Sequence, residues 1–185
     1  MDLVVDGGNI VRLGWKAIMT ERVYQENPGF RKPAVHAILM DLLNVDKLIM
    51  IPVEPGDPYG HADGCVRFVD ENTVLINEPL AETSRFCREL RKILEKNSLR
   101  WHEMPYFWDY DPKNKDSAVG NYLNYLEVAN LIVVLRYRGY NAKNKKAILV
   151  LRQVFGSSID IVSVEATPIA KQGGVLNCVS WNIFS

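Results

Sequence analysis

The sequence predicts one α/β domain over residues 1–185, built from a repeated unit of two strands, a helix and a third strand. Apolar stretches of strand character alternate with segments of helical periodicity along the chain. Glycine-containing turns recur near residues 8, 60, 120 and 174, at intervals of about 55 residues, and such a period is typical of repeat architectures. We count three units and the start of a fourth.

The first unit is predicted over residues 2–53. Residues 2–8, "DLVVDGG", and residues 15–20, "WKAIMT", have the composition of short strands joined by a turn. A helix is expected at residues 34–43, "AVHAILMDLL", where apolar residues follow the helical period. Residues 47–53, "KLIMIPV", then supply the third strand.

The second and third units follow the same order. In the second, residues 65–69 and 73–77 predict a hairpin, residues 81–97 an amphipathic helix and residues 100–106 a strand. In the third, a polar loop at 107–120 precedes two predicted strands at 121–130 and 131–137, a helix at 141–156 and a strand at 159–166. Residues 173–184, "GGVLNCVSWNIF", are read as the opening of a fourth unit.

The composition is that of an ordinary globular protein without a strong charge. Lysine and arginine number 22, as do aspartate and glutamate, so neither a nucleic-acid nor an anionic-membrane partner is expected. The cysteines are Cys65, Cys87 and Cys178, an odd set that predicts neither a disulfide framework nor a zinc site. With no signal sequence and no apolar run long enough to span a bilayer, we expect a cytoplasmic protein.

The stretch "GHADGCVRF" at residues 60–68 places His61 and Asp63 two residues apart at the head of an apolar strand. On a strand, residues two apart project to the same face. A carboxylate can accept paired hydrogen bonds from a planar guanidinium, and histidine moves protons near neutral pH. The pair therefore indicates an active-site edge, although a polar turn that leads into a strand has the same composition.

Cys178 follows two glycines at the start of a strand-like run. A cysteine in a strand is most often a small buried apolar residue, and we interpret Cys65, in the strand after His61, and Cys87, on the amphipathic helix, as structural residues of this kind. For Cys178 a nucleophilic thiolate is the alternative, because its place in the repeat matches those of Asp6 and His61. If the units pack around one axis, the turns "DGGN", "GHAD" and "GGVLNC" are expected to converge at one end of it.

The motifs "GHADGCVRF", "GNYLNYLEVANLIVV" and "GGVLNC" resemble, in this order, three motifs of the agmatine deiminase and bacterial-type peptidylarginine deiminase family. The opening "VVDGGNI" resembles a fourth. That family belongs to the guanidine-modifying penteins. The resemblance implies a propeller of strand-strand-helix-strand repeats around a pseudo-fivefold axis, which is incomplete in this chain.

The resemblance also implies hydrolytic deimination without a metal or an organic cofactor. By this analogy Cys178 attacks the guanidinium carbon, and His61 protonates the departing amine, which leaves as ammonia, and then activates water. Asp63 holds the guanidinium nitrogens, and Asp6 orients His61 or the substrate. Asn9 and Gly174 complete the implied substrate site. Agmatine, on the route to putrescine, or an arginyl peptide is the implied substrate.

Three departures from the family pattern qualify that reading. Asn177 replaces the family's histidine before the nucleophile, and Asp6 replaces a glutamate. The Arg-Asp-x-Gly-Pro element, whose aspartate is the family's second guanidinium clamp, does not occur in this sequence. We therefore expect a chain that lacks an N-terminal part or pairs with another copy. The alternatives are amidino transfer, or an inactive pentein that binds a guanidino ligand or a partner subunit.

Overall fold

The computed structural model describes residues 2–109, 114 and 116–180. In these residues the order strand, strand, helix, strand occurs three times, as the sequence predicts. The strands are β1 Val11–Leu13, β2 Lys16–Thr20, β3 Lys47–Ile51, β4 Val66–Asp70, β5 Thr73–Asn77, β6 Arg100–Met104, β7 Leu126–Val128, β8 Leu131–Arg136 and β9 Asp160–Glu165. The helices are α1 Arg22–Glu26, α2 Lys32–Leu42, α3 Ser84–Lys96, α4 Asn141–Phe155 and α5 Thr167–Ala170.

Each repeat forms its own three-stranded sheet, with strand orders β1-β2-β3, β4-β5-β6 and β7-β8-β9. In the first sheet β1 pairs antiparallel with β2, and β2 pairs parallel with β3, with Thr20 opposite Ile51. In the third sheet β7 and β8 are antiparallel, and β8 and β9 are parallel. A short turn suffices for an antiparallel pair, whereas a parallel pair needs a crossover, which α2 and α4 supply.

The chain divides into two compact units. One comprises residues 1–74 and 81–101, and the other comprises residues 75–80 and 102–185. In the described part of the chain no helix combines the length and the apolar character needed to cross a membrane.

In the first of these two compact units, a core forms between β2 and α2. Ala17 and Met19 on β2 are buried in one cluster with Val35 and Leu39 on α2. Because side chains alternate along a strand, Lys16, Ile18 and Thr20 project from the opposite face of β2. That second face is also buried, and it turns Thr20 toward the glycine-containing turns that precede β1 and β4.

In the second compact unit, buried tyrosines are hydrogen-bonded to one buried asparagine. Asn144 on α4 accepts hydrogen bonds from the Tyr122 hydroxyl at 2.6 Å and from the Tyr137 backbone N–H at 2.9 Å. Its amide also donates to the Tyr137 carbonyl at 2.8 Å. The start of α4 is thereby fixed to the chain that leaves β8. Burial, which penalises the phenolate, raises the pKa of Tyr137 well above its ordinary value.

Two predicted strands are wrong in extent. Residues 2–8 form no strand: Gly7–Asn9 is a 3₁₀ turn closed by Asn9 N–H donating to the Asp6 carbonyl at 3.0 Å, and β1 begins only at Val11. The strand predicted at 121–130 is reduced to β7, because the Asn121 side chain bonds the Leu123 N–H at 3.0 Å in a turn. Local side-chain and turn hydrogen bonds outcompete strand pairing in both places.

The last predicted feature, the opening strand of a fourth unit, is only partly within reach of the structure. Residues 176–179 form a turn and no strand. The remainder of that prediction, residues 181–184, lies outside the described residues, as do residues 110–113 and 115 of the polar loop. Helices α1 and α5 are too short to show a helical period and were not predicted.

Candidate active site

The turn before β1 presents Asp6 and buries Asn9. The Asp6 carboxylate is about half exposed, whereas Asn9 is 1% exposed. The Asn9 side-chain oxygen accepts the Thr20 N–H at 2.9 Å, and its amide donates to the Thr20 carbonyl at 3.4 Å. The side chain of Asn9 is therefore engaged with the end of β2.

The turn before β4 carries His61 and Asp63, and it is not a strand. His61 has extended backbone angles and leads into a 3₁₀ turn at Ala62–Gly64, closed by Cys65 N–H donating to the Ala62 carbonyl at 3.0 Å. The expectation that the pair shares one face of a strand is wrong, because β4 begins only at Val66. Asp63 is 9% exposed in this turn.

These two turns meet at the imidazole of His61. Its Nε2 lies 3.2 Å from Oδ2 of Asp6. Its Nδ1 lies against Gly8, where an added Cβ would be only 2.5 Å from that nitrogen. When Nε2 carries the proton and donates to Asp6, Nδ1 of the neutral ring is a proton acceptor. The arrangement is an Asp–His dyad in which one ring nitrogen faces Asp6 and the other lies against Gly8.

Cys65 contacts the same turn through its sulfur. Its sulfur lies 3.3 Å from the His61 carbonyl and 3.6 Å from a carboxylate oxygen of Glu54, which is also buried. Burial, together with the negative charges of Glu54, Asp57 and Asp63, raises the pKa of this thiol well above its ordinary value. Cys65 thus remains a protonated donor, as expected of a structural cysteine.

Tyr59 is a neighbour of the dyad that the sequence argument missed. Its ring is exposed, and its centroid lies 5.9 Å from that of His61. An exposed aromatic ring beside a candidate cation site can contact a guanidinium face. The signal available in the sequence was an aromatic residue two positions before the histidine.

The turns before β7 and around Cys178 meet in the second unit. Asn124, which is 3% exposed, accepts the Cys178 N–H through its side chain at 3.2 Å and the Asn177 N–H through its carbonyl at 3.3 Å. Gly174 lies directly beside the nucleophile candidate, since an added Cβ would be 3.2 Å from Cβ of Cys178. Cys178 is exposed, whereas Cys65 and Cys87 are buried.

The structure thus brings Asp6 and His61 together and places Asp63 in the same turn as His61. It also brings Gly174 to Cys178. Cys178 belongs to the other compact unit, so its approach to His61 stays a prediction. Within the described part of the chain, no group of three or more His, Cys, Asp or Glu residues is arranged to hold a metal ion.

Thiol reagents should distinguish the three cysteines. We expect iodoacetamide to alkylate Cys178 at least about tenfold faster than Cys65 or Cys87 in the folded protein, because Cys178 is exposed and the other two cysteines are buried. Timed quenching and peptide mass spectrometry measure the three rates. The C178S variant is the control, in which only slow labelling should remain. Equal rates at all three sites would contradict the assignment of Cys178 as the nucleophile.

Residues 1–183 match the family model described as Porphyromonas-type peptidyl-arginine deiminase. No curated protein sequence gives a significant match. The fold is similar to C. jejuni agmatine deiminase, with 20% identity and a TM-score of 0.77 over 96% of this chain and 55% of that one. Agmatine deiminase of Enterococcus faecalis matches with 21% identity and a TM-score of 0.78 over 95% of this chain and 56% of that one.

A third similar structure extends the fold likeness beyond deiminases. An amidinotransferase of the saxitoxin biosynthetic pathway from Microseira wollei matches with 16% identity and a TM-score of 0.60, over 96% of this chain and 46% of that one. The chain therefore spans little more than half the length of the two deiminases and less than half of the amidinotransferase.

Proposed function

The chain belongs to the Porphyromonas-type peptidyl-arginine deiminase family, and from this premise we propose that its site hydrolyses a guanidino group to a ureido group and ammonia. The observation that carries the proposal is the Asp6–His61 dyad, with the carboxylate 3.2 Å from Nε2 and Gly8 against Nδ1. An imidazole held in this way can serve as a general acid and then as a general base.

The first half-reaction we propose is attack of the Cys178 thiolate on the guanidinium carbon. An S–C bond forms, and the electron pair of the C=N bond moves to nitrogen in a tetrahedral adduct. His61, which enters this step as the imidazolium with a proton on each ring nitrogen, donates one proton to an amino nitrogen, the C–N bond breaks, and ammonia leaves. An S-alkylthiouronium group remains on Cys178, and His61 is left as a neutral base.

In the second half-reaction His61 takes a proton from a water molecule, whose oxygen attacks the thiouronium carbon. The C–S bond then breaks as the carbonyl forms, its electron pair regenerates the thiolate of Cys178, the second proton of the water passes to solvent, and the ureido product departs. We assign Asp63 to hold the guanidinium nitrogens, because a carboxylate can accept two parallel N–H bonds. Asp6 orients His61, and its carboxylate, which is about half exposed, can also contact the substrate cation.

Asn9 and Gly174 belong to the proposed substrate site through the turns that they shape. The side-chain amide of Asn9 is hydrogen-bonded to the Thr20 backbone. Asn9 therefore fixes the turn that carries Asp6. Gly174 leaves the space beside Cys178 that any side chain would fill. Agmatine and arginyl peptides are the proposed substrates, and agmatine would give a ureido product on the route to putrescine.

We further propose that the three described repeats form part of a propeller around a pseudo-fivefold axis. The support is the repeated strand order in each sheet and the similarity to the deiminase structures. The second guanidinium clamp of the family would come from a further segment or from a second copy of the chain. A cytoplasmic location also stays a proposal.

The test is ammonia release by the purified chain from agmatine and from a peptidyl-arginine, with the ureido product identified by mass spectrometry. We expect release from one of the two to exceed release from the other, and circular dichroism shows that the sample is folded. If neither substrate releases ammonia but calorimetry detects agmatine binding, the chain binds guanidines without turnover, and the hydrolytic proposal fails.

A further inference from the structure

Thr20 joins the two turns that form the Asp–His dyad. It is the last residue of β2 and is completely buried. Its hydroxyl oxygen lies 2.5 Å from the Gly60 carbonyl oxygen, immediately before His61, and 2.9 Å from the side-chain oxygen of Asn9. The Arg22 N–H donates to the same hydroxyl at 3.3 Å.

The Thr20 hydroxyl has two acceptor oxygens nearby but can donate to only one of them. A hydroxyl carries one proton, and the shorter distance gives that proton to the Gly60 carbonyl. The Asn9 oxygen receives the Thr20 backbone N–H instead. Thr20 therefore binds the first turn through its main chain and the second turn through its side chain.

The connection reaches the reacting side chains on both sides. Asn9 follows Gly8 directly, and Gly60 precedes His61 directly. Gly60 has φ of +67°, and an added Cβ there would lie 2.9 Å from Val53. The backbone conformation immediately before His61 is therefore restricted to one that glycine can adopt. A shift of the Gly60 carbonyl would carry the imidazole away from Asp6 and Gly8.

We propose that Thr20 is a positioning residue for His61, and that its hydroxyl sets the distance between the imidazole and Asp6. The inference rests on the proposed function in one respect, namely that the Asp6–His61 dyad is its acid–base group. The hydroxyl is not needed for core packing, because the apolar residues on the other face of β2 supply the contacts with α2. The hydroxyl at position 20 instead satisfies the buried Gly60 carbonyl, which would lack this donor in a valine variant.

The experiment compares T20V, which keeps the shape and removes the donor, with T20S, which keeps the donor. Long-range ¹⁵N–¹H spectra report the tautomer and ring shifts of each imidazole without any need for turnover. The chain has three histidines, so H61N assigns the His61 signals, and His36 and His102 are internal controls. D6N gives the spectrum of His61 without its carboxylate partner.

In T20V we expect the His61 ring shifts to move toward those of D6N, while T20S keeps the wild-type spectrum and His36 and His102 do not change. Where the wild type releases ammonia, kcat in T20V should fall about 10- to 100-fold with a smaller change in KM, since small misplacements of reacting groups cost that much. T20S should restore the rate.

T20A removes the same donor with less steric demand and replaces T20V if the latter does not fold. The inference is overturned if the folded variant that lacks the hydroxyl, T20V or in its place T20A, keeps the wild-type tautomer and ring shifts of His61. It also fails if T20S changes the His61 spectrum as much as T20V does. A chain that releases no ammonia contradicts the proposed function alone, because the spectra still show whether Thr20 positions the imidazole.

Discussion

Replacement of Cys178 by alanine is expected to abolish ammonia release, with a loss on the order of 10⁴-fold or more, as for removal of the nucleophile in other covalent catalysts. The thiol forms the bond that every later step requires, and neither of the other two thiols can take its place, since Cys65 and Cys87 are buried. Folding should be nearly unaffected: exposed substitutions usually change stability by no more than about 0.5 kcal/mol.

The matched control is C87A, which removes a buried thiol from α3. It should lower the thermal midpoint through the lost packing and leave turnover per folded molecule unchanged. C178A should therefore lose activity and keep its stability, whereas C87A should lose stability and keep its activity. Substantial ammonia release by C178A, measured under the same conditions as the wild type, would show that another group is the nucleophile.

The regular elements could be predicted from the sequence because their signals are local. In α3 the apolar residues Leu90 and Leu94 recur on one face and are buried in the structure. In β2 a short apolar run predicts a strand, and every residue of it is buried. The first predicted strand failed because Asp6, two glycines and Asn9 form a turn whose backbone hydrogen bonds replace a ladder.

The site was predictable in its reactive residue types and, through the repeat and the family resemblance, in the meeting of Asp6 with His61, but its local geometry was not. His61 and Asp63 are conspicuous in "GHAD", but the residues that flank this segment are contacted from other parts of the chain, Gly60 by Thr20 and Cys65 by Glu54. The Thr20–Gly60 bond joins residues 40 positions apart, and the Asp6–His61 contact spans 55 positions. No local pattern carries such pairings, and for this reason the roles of Thr20 and Gly8 appear only in the structure.

Gly8 offers the sharpest test of the dyad, because the neighbouring glycine is a natural control. A Cβ at position 8 would lie 2.5 Å from Nδ1 of His61, well inside van der Waals contact, whereas a Cβ at position 7 meets nothing within 4 Å. The atom that must move in G8A is the end of a side chain that can rotate. The clash should therefore displace the imidazole from Asp6 at little cost to folding.

We expect G8A to lower kcat about 100-fold, since a misplacement of roughly 1 Å has that effect, and G7A to keep the wild-type rate. Both variants should unfold at or slightly above the wild-type midpoint, because alanine reduces the entropy of the unfolded chain. Ammonia release and thermal unfolding are measured on the three proteins together. If G8A turns over as fast as G7A, the imidazole contact at Gly8 has no part in the reaction, and proton transfer at Nδ1 is excluded as the mechanism.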